Sequence, residues 1–328
     1  MDYDRIAAEL LRNLRGKRSQ AAMCRRLGYR SNVVHQWEHG LSWPTAATTL
    51  RAAERVGVNV ARAFRDFYRV TPRWLEELNP TTPEGVAAFL RDLKGNTTTA
   101  DLSRYSGKSR FAIARWLNAS AEPRLPDFLL MLECCSLRML DFIEQLVDPA
   151  KLPSVSAAWQ KLQVARRLAY DEPWSQAVLR ALELETYRAL PRHQPGWIAD
   201  RIGVTTADEE RCLALLADSG QIELDCDRYR PSTVMTLDTR RDPDAARRLR
   251  AWWVRMTARR VESGVRGLSY NLFGVSRADL ERLRELQKGY LNELRTIVAQ
   301  SEPVEHVVLA VDVLLDLAER PPDRAAKP

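Results

Sequence analysis

The N-terminal half of the chain repeats itself, and this repeat limits the folds that the chain can adopt. A shift of 79 residues aligns residues 8–65 with residues 87–144 without a gap. Glycine, tryptophan and proline recur at matching places: Gly28 with Gly107, Trp37 with Trp116, and Pro44 with Pro123. Apolar positions that differ in identity still correspond, such as Val34 with Ile113. Since chance rarely preserves a gapless match of this length, we expect two copies of one small unit.

Each copy is predicted to consist of short helices separated by turn residues. In the first copy, Ser19 can cap a helix over 20–27, and Gly28 can end it in the left-handed conformation. Ser31 or Arg30 starts a second helix, which continues through Trp37 and Glu38 and is closed by Gly40. A helix, a tight glycine turn and a second short helix are typical of a helix-turn-helix.

Length and composition exclude several classes of protein. The 328 residues correspond to about two to three domains. No apolar run approaches the ~20 residues of a membrane span, and the N-terminal MDYDRIAAELLRNLRG lacks the apolar region of a signal peptide. The five cysteines have no CxxC spacing, which argues against a disulfide scaffold or a zinc ribbon and suits a reducing cytosol. We therefore expect a cytoplasmic protein without a membrane partner.

Neither a metal site nor an enzyme signature is evident in the sequence. His35 and His39 are four residues apart, but the intervening Gln-Trp-Glu does not match HExxH. GxSxG, GxxxxGK[ST] and a strand-linked GxGxxG are all missing. We expect no metal, no cofactor and no catalytic residues.

The basic residues are concentrated in the first quarter of the chain. Residues 1–80 carry 14 Lys and Arg against 8 Asp and Glu, whereas residues 81–150 carry 8 against 9. Residues 151–328 carry 28 against 26. A local excess of this kind attracts polyanions, although a solvated arginine-rich helix surface would give the same count.

The segment over 19–45, SQAAMCRRLGYRSNVVHQWEHGLSWPT, resembles the helix-turn-helix of the Cro and lambda-repressor-like superfamily. The resemblance covers roughly residues 5–70. Its matching positions are Gln20, the small residue Cys24, Gly28 in the turn, Val34, Trp37-Glu38-x-Gly40 and Pro44. The resemblance implies that double-stranded DNA is the partner.

An exposed helix of about two turns fits the major groove of B-DNA. The candidates for DNA contact in the first copy are Lys17, Arg18, Gln20, Arg30, Ser31, Asn32, His35 and Gln36. Asn32 and Gln36 could each pair bidentately with adenine, and Arg30 could take guanine or a phosphate. Lys17, Arg18 and Gln20 lie at a helix start, where phosphate can be held. We expect Trp37 to pack in the core rather than to stack on a base.

The second copy matches the motif less well. Leu117 stands in the place of Glu38, and Ala119 stands in the place of Gly40. Its candidates for DNA contact are Lys108, Ser109, Arg110 and Arg115. Two interpretations stay open, because a diverged copy can contact DNA or can serve packing and dimerisation.

A winged-helix-like pattern follows, with three helices and a hairpin over 174–236 whose turn is predicted at Asp227-Arg228. The helix in the position of a recognition helix, TADEERCLALLADSG, is acidic. Like charges would oppose its docking on phosphates, so a structural or protein-contact role is expected.

The last region is predicted to be a small α/β unit. A helix near 243–262 is followed by a strand over 267–275, a helix capped by Ser276 and a β-branched strand over 304–315, and the two strands would pair in parallel. A helix over 304–319 is the alternative. The capped helix carries an apolar stripe: Leu280, Leu283, Leu286, Leu291, Leu294 and Ile297.

From about residue 95 onward the chain also resembles a family of bacterial regulators in which a regulatory domain of unknown ligand follows a helix-turn-helix. The similar segments are DFIEQLVD, EPWSQAVLRAL, PGWIADRIG, LLADSGQIELDCDRY and GVSRADLERLRELQ. This resemblance implies a transcriptional regulator and names no effector.

The sequence thus predicts a mainly α protein with tandem helix-turn-helix domains, a winged-helix-like segment and a small α/β unit. The expected boundaries are 1–79, 80–150, 151–240 and 241–320, with a disordered tail over 321–328. The expected function is that of a DNA-binding transcriptional regulator, a repressor and homodimer, with an unknown small-molecule or protein effector. The alternative is a protein-interaction adaptor or antitoxin-like partner that uses the helical repeats and the acidic winged-helix face.

Overall fold

The computed structural model describes residues 1–68, 71–232, 237–239, 242–265, 269–301 and 304–317. This part of the chain is mainly helical and has one two-stranded sheet. None of the described helices combines the length and the hydropathy that a bilayer crossing requires. The helices of the two repeats are α1 (Tyr3–Arg15), α2 (Gln20–Leu27), α3 (Val33–Glu38), α4 (Ala46–Arg55), α5 (Val60–Tyr68), α6 (Arg73–Glu77), α7 (Pro83–Lys94), α8 (Thr99–Ser106), α9 (Arg110–Leu117), α10 (Leu125–Ser136) and α11 (Met139–Leu146).

The elements that follow start with a short 3-10 turn over Pro149–Lys151. They continue with α12 (Ser156–Asp171), α13 (Trp174–Ala181), α14 (Glu185–Arg188), α15 (Trp197–Ile202), α16 (Thr206–Asp218), β1 (Ile222–Asp225), β2 (Arg228–Pro231), α17 (Pro243–Glu262) and α18 (Arg277–Gln300).

The helix, turn and helix predicted in the first copy are confirmed as α2 and α3. The Ser19 hydroxyl accepts a hydrogen bond from Ala22 N at 3.1 Å, which caps α2. Gly28 ends α2 in the left-handed conformation with φ +84°. Helix α3 begins later than the predicted Arg30 or Ser31, because the carbonyl oxygen of the Asn32 side chain caps it by accepting from His35 N.

The second copy repeats this backbone at an offset of 79 residues. Thus α8 begins and ends 79 residues after α2, and α10 and α11 begin 79 residues after α4 and α5. The agreement extends to a strained position, since Ala119 has φ +61° where Gly40 has φ +69°. The unit therefore keeps its path even where the glycine that suits it has been lost.

Both copies bury their apolar residues in one shared core, which extends from Ile6 to Leu162. Its centre is aromatic: the Phe64 ring meets Phe89 at 4.8 Å and Phe142 at 5.3 Å between centroids, both edge-on. Because Phe64 lies on α5 and Phe142 on α11, the two copies are packed directly against each other.

A second core is formed by α13, α15, α16 and the hairpin. The predicted winged-helix-like pattern is present in the described residues up to Ser232, but its turn is one residue earlier than predicted. Cys226 and Asp227 form it, with φ +48° and φ +60°. Two-residue hairpin loops favour positive φ at both positions, and Asp tolerates this conformation. Residues 233–236 lie outside the described residues.

The prediction of two strands in the small α/β unit is wrong. Residues 269–275 and 304–315 form no strand, and residues 304–317 form no helix either. The backbone of this last segment docks on the second core, where Glu185 N donates to Val304 O at 2.8 Å and Val307 packs nearby. A β-branched composition does not make a strand unless another strand accepts its hydrogen bonds. The two helices of the unit are confirmed as α17 and α18, while 266–268 and the tail over 321–328 lie outside the described residues.

Candidate nucleic-acid interface

Helix α3 is held to the core by one side and exposes the other. Val34 and Trp37 are buried, and the Trp37 ring packs edge-on against Tyr29 at 5.6 Å. The prediction that Trp37 packs in the core is therefore confirmed. The polar side chains predicted to contact DNA here are exposed: Arg30, Ser31, Asn32, His35 and Gln36.

A buried carboxylate fixes α3 to the two helices before it. Glu38 is only 3% exposed. Arg15 donates to it from Nε at 2.5 Å and from Nη2 at 3.2 Å, while Gln20 Nε2 donates to Glu38 Oε2 at 2.8 Å. Arg12 Nη2 also donates to the Glu38 backbone carbonyl at 3.1 Å. We call Arg15, Gln20 and Glu38 the carboxylate clamp; its side-chain contacts were not evident from the sequence.

The carboxylate clamp engages the Gln20 side chain, which was predicted to contact DNA. The Gln20 amide nitrogen is already used inside the protein. The structure therefore assigns Gln20 a role in orienting α2 against α3. Its backbone still belongs to the first turn of α2, near Lys17 and Arg18.

The exposed side chains of α3 differ in how they are held. Asn32 Oδ1 accepts from His35 N at 3.4 Å and from Cys24 Sγ at 3.6 Å, which leaves its Nδ2 as the group that a base could use. Gln36 Oε1 accepts from Ser42 Oγ at 3.2 Å, so its amide is oriented while one lone pair stays available.

Exposed basic side chains lie on α2 and on the segments directly before and after it. Lys17, Arg18, Arg25, Arg26 and Arg30 are exposed, and none of these five forms an ion pair within the described part of the chain. Arg25 and Arg26 were not predicted as DNA contacts from the sequence. The 3.6-residue period of α2 was the available signal for Arg25, because it places Arg25 opposite the buried Met23 and Leu27. Arg26 is directed elsewhere, since its Nε donates to the Arg55 carbonyl at the end of α4.

The corresponding face of the second copy is less basic. Ser109 caps α9 by accepting from Ala112 N at 3.2 Å, and Lys108 Nζ pairs with Asp127 Oδ1 at 2.5 Å. Arg110 and Arg115 are exposed. The Arg115 guanidinium lies 5.6 Å from the centroid of Phe111, whose side chain is 73% exposed.

Phe111 was not among the residues predicted from the sequence to contact DNA. The repeat itself contained the signal, because the 79-residue offset places Phe111 opposite Asn32 at the start of the exposed helix. A large apolar side chain with this exposure contributes nothing to the core, so Phe111 is a candidate for contact with a binding partner.

Comparison with known proteins concerns the second half of the chain. A family model described as a domain of unknown function, DUF4423, matches residues 154–313. No curated protein and no solved structure matches the chain. The matched region includes the second core, and it leaves out both α3 and α9.

Within the DUF4423-matching region, the acidic helix α16 has fewer free charges than its sequence indicated. Glu209 is fully buried, where it accepts from Gly196 N at 3.2 Å and from Ala199 N at 2.5 Å. Asp208 Oδ1 pairs with Arg211 Nη2 at 2.8 Å. The carboxylates of α16 thus serve partly to hold this unit together.

His193 packs against the same buried carboxylate, with 3.6 Å between its Nε2 and Glu209 Oε1. Burial lowers the pKa of His193, and the nearby Glu209 and Glu210 oppose that shift. The hydroxyl of Tyr187 lies 3.2 Å from His193 Nδ1, and burial raises the pKa of Tyr187 to about 12. This cluster is part of the second core and not of the candidate interface.

Proposed function

We propose that the protein is a transcriptional regulator that binds double-stranded DNA in a sequence-specific manner, with α3 in the major groove. One observation carries the proposal: the helix-turn-helix that exposes the polar face of α3 also exposes Lys17, Arg18, Arg25 and Arg30, which form no ion pair within the described residues. Sequence similarity to the Cro and lambda-repressor-like superfamily supports the same function.

Each side chain has a distinct part in the proposed complex. Lys17 and Arg18 neutralise phosphates beside the first turn of α2, where backbone N–H groups also favour anions. Gln36 forms a bidentate pair with adenine, for which it offers Oε1 as acceptor and Nε2 as donor. Its contact with Ser42 orients the amide before DNA arrives, which reduces the entropy lost on binding.

The carboxylate clamp supports this function indirectly. It holds α3 at a defined angle to α2. That angle matters because α3 must contact base edges in the major groove while α2 contacts phosphates. In this proposal the clamp residues are positioning residues, and the exposed residues of α2 and α3 make the contacts.

The remaining parts of the proposal concern regulation. Repression is favoured over activation, because occupying a site is enough to block it. The C-terminal half would form a homodimer in the cytoplasm and would respond to an effector. The exposed apolar residues of α18 support such an interface: Leu286, Leu291 and Ile297 are all exposed.

The test is a salt titration of binding to a mixed-sequence DNA duplex, followed by fluorescence anisotropy. Each phosphate contact contributes about −0.9 to the slope of log K against log salt concentration. Lys17→Ala/Arg18→Ala should therefore make the slope less negative by roughly 1.8. The matched control is Arg255→Ala/Arg259→Ala, which removes the same charge from exposed positions of α17 and should leave the slope unchanged.

Two outcomes contradict the proposal. A protein that shows no DNA affinity even at low salt is not a DNA-binding regulator, and the protein-interaction adaptor then becomes the better hypothesis. An equal change of slope in both double variants would mean that binding depends on net charge rather than on the α2–α3 surface.

A further inference from the structure

The two repeats are joined by a pair of reciprocal backbone hydrogen bonds. Ala46 N donates to Pro123 O at 3.0 Å, and Leu125 N donates to Pro44 O at 2.9 Å. At the 79-residue offset, Leu125 is the counterpart of Ala46 and Pro123 is the counterpart of Pro44, so the two bonds join equivalent residues in opposite order. Between the two bonds, Thr45 forms an antiparallel bridge with Arg124, its own counterpart in the second repeat.

This arrangement identifies the symmetry that relates the repeats. A simple translation would leave equivalent segments parallel, whereas a two-fold rotation makes a segment pair antiparallel with its own copy. Helix packing has the same reciprocity, since α5 packs on its counterpart α11 and α4 packs on its counterpart α10. Contacts of α1 with α10 are likewise matched by contacts of α7 with α4.

The two-fold axis therefore passes by the Thr45–Arg124 bridge, with α3 and α9 on opposite sides of it. Each helix ends seven residues before the bridge, at Glu38 and Leu117. Seven residues span at most about 25 Å and the bridged residues are about 5 Å apart, so the two helix ends lie at most about 55 Å apart. Half-sites one helical turn apart, about 34–36 Å, fall within that limit.

We propose that a single chain reads an inverted pair of unlike half-sites, with α3 on one half-site and α9 on the other. This inference rests on the proposed DNA-binding function and specifies the kind of DNA that is recognised. The shared core makes the pair of helices one rigid unit, so neither depends on a second chain for its position.

The half-sites must be unlike because the exposed side chains at equivalent positions differ. Gln36 corresponds to Arg115, and Asn32 corresponds to Phe111. Glutamine pairs bidentately with adenine, arginine pairs bidentately with guanine, and phenylalanine can contact the methyl group of thymine. One half-site should therefore have adenine facing Gln36, and the other should have guanine facing Arg115.

Phe111 gains a role in this arrangement. Its exposed ring, with the Arg115 guanidinium beside it, would face a thymine next to that guanine. The second half-site would then depend more on base contacts than on phosphate contacts, because Lys108 is paired with Asp127.

The experiment is a selection from a random-sequence duplex library with the full chain, repeated with two variants. The expected result is two different motifs in inverted orientation at one fixed spacing. Arg115→Gln should change guanine to adenine in one motif only, and Gln36→Arg should change adenine to guanine in the other only. Each variant should bind the parent site roughly 5- to 150-fold more weakly. Inserting about 5 base pairs between the motifs places them on opposite faces of the duplex and should abolish their joint binding.

Other outcomes overturn the inference while the proposed function stands. Enrichment of a single motif that Arg115→Gln leaves unchanged would mean that α9 does not read DNA. Two identical motifs, both altered by Gln36→Arg, would mean that the α3 helices of two chains read the site. If the library yields no motif and the chain binds no duplex, the proposed function itself fails.

Discussion

The strongest test of the packing in the first repeat is the substitution Glu38→Leu. Glu38 is buried and accepts side-chain hydrogen bonds from Arg15 and Gln20. Its loss leaves the Arg15 guanidinium without its carboxylate, although 18% of that side chain stays accessible to water. The substitution should therefore destabilise the repeat through an uncompensated charge rather than through lost volume.

The magnitude follows from the contacts. Removing one partner of a buried ion pair costs about 3–5 kcal/mol. Partial access of Arg15 to water favours the lower end, about 3 kcal/mol. For a cooperative unit of about 150–250 residues, that loss lowers the midpoint of thermal unfolding by roughly 6–12 °C.

The second repeat supplies the matched control. At the equivalent positions it has Lys94, Thr99 and Leu117, and Leu117 is buried. Arg91 Nη1 donates to the Leu117 carbonyl at 2.6 Å, as Arg12 does to that of Glu38. The triple variant Arg15→Lys/Gln20→Thr/Glu38→Leu places the residues of the second repeat at these three positions. Its free energy of unfolding should lie within about 1 kcal/mol of the parent value.

Urea unfolding gives the free energies, and hydrogen exchange of the amides in α1–α3 gives a local measure, with α7–α9 as the internal reference. The single variant should lose more protection in α1–α3 than in α7–α9, and the triple variant should regain it. Our account of the clamp is refuted if Glu38→Leu costs less than about 0.5 kcal/mol, or if the triple variant is as unstable as the single one.

Three further predictions concern other parts of the chain. Ala119→Gly should stabilise the protein by about 1 kcal/mol because it relieves the left-handed backbone, whereas Gly40→Ala should destabilise it by a similar amount; chemical denaturation measures both. Since burial lowers the folded-state pKa of His193 below its unfolded value near 6.5, the unfolded chain binds the proton first, and stability should fall as the pH drops from about 7 to 5. His193→Gln should flatten that dependence in urea unfolding, and an unchanged slope would show that another group titrates. Sedimentation at micromolar concentration should show a homodimer that Leu286→Glu/Ile297→Glu dissociates; a monomeric parent would exclude this interface.

Local signals in the sequence were enough to predict α2 and the short helix α3 that follows it. Ser19 supplies an oxygen for the free N–H groups at the start of α2, and Gly28 tolerates the backbone that ends it. Both effects act within a few residues, so they do not depend on the rest of the fold. For the same reason Ser276 was correctly predicted to cap α18.

The candidate interface was predictable only in part. Helical period and the motif placed Asn32, His35 and Gln36 on an exposed face, as the structure has them. The internal contacts of Gln20 and Asn32 were not predictable, because their partners Glu38 and Cys24 come near them only when the helices pack. The strands predicted over 267–275 and 304–315 do not form in the described residues 269–275 and 304–315, because composition does not supply a neighbouring strand for hydrogen bonding.

The amino-acid sequence by itself determined that the chain contains two copies of one helical unit, since spacing and caps are properties of neighbouring residues. Only the tertiary structure decided how the copies face each other. The reciprocal bonds of Ala46 with Pro123 and of Leu125 with Pro44 join residues about 80 positions apart. Their antiparallel pairing accompanies the packing of α5 against α11. The sequence of a helix does not specify which other helix its apolar face will pack against. The repeat is therefore visible in the sequence, whereas the two-fold rotation that relates its copies depends on contacts between distant residues and is visible only in the structure.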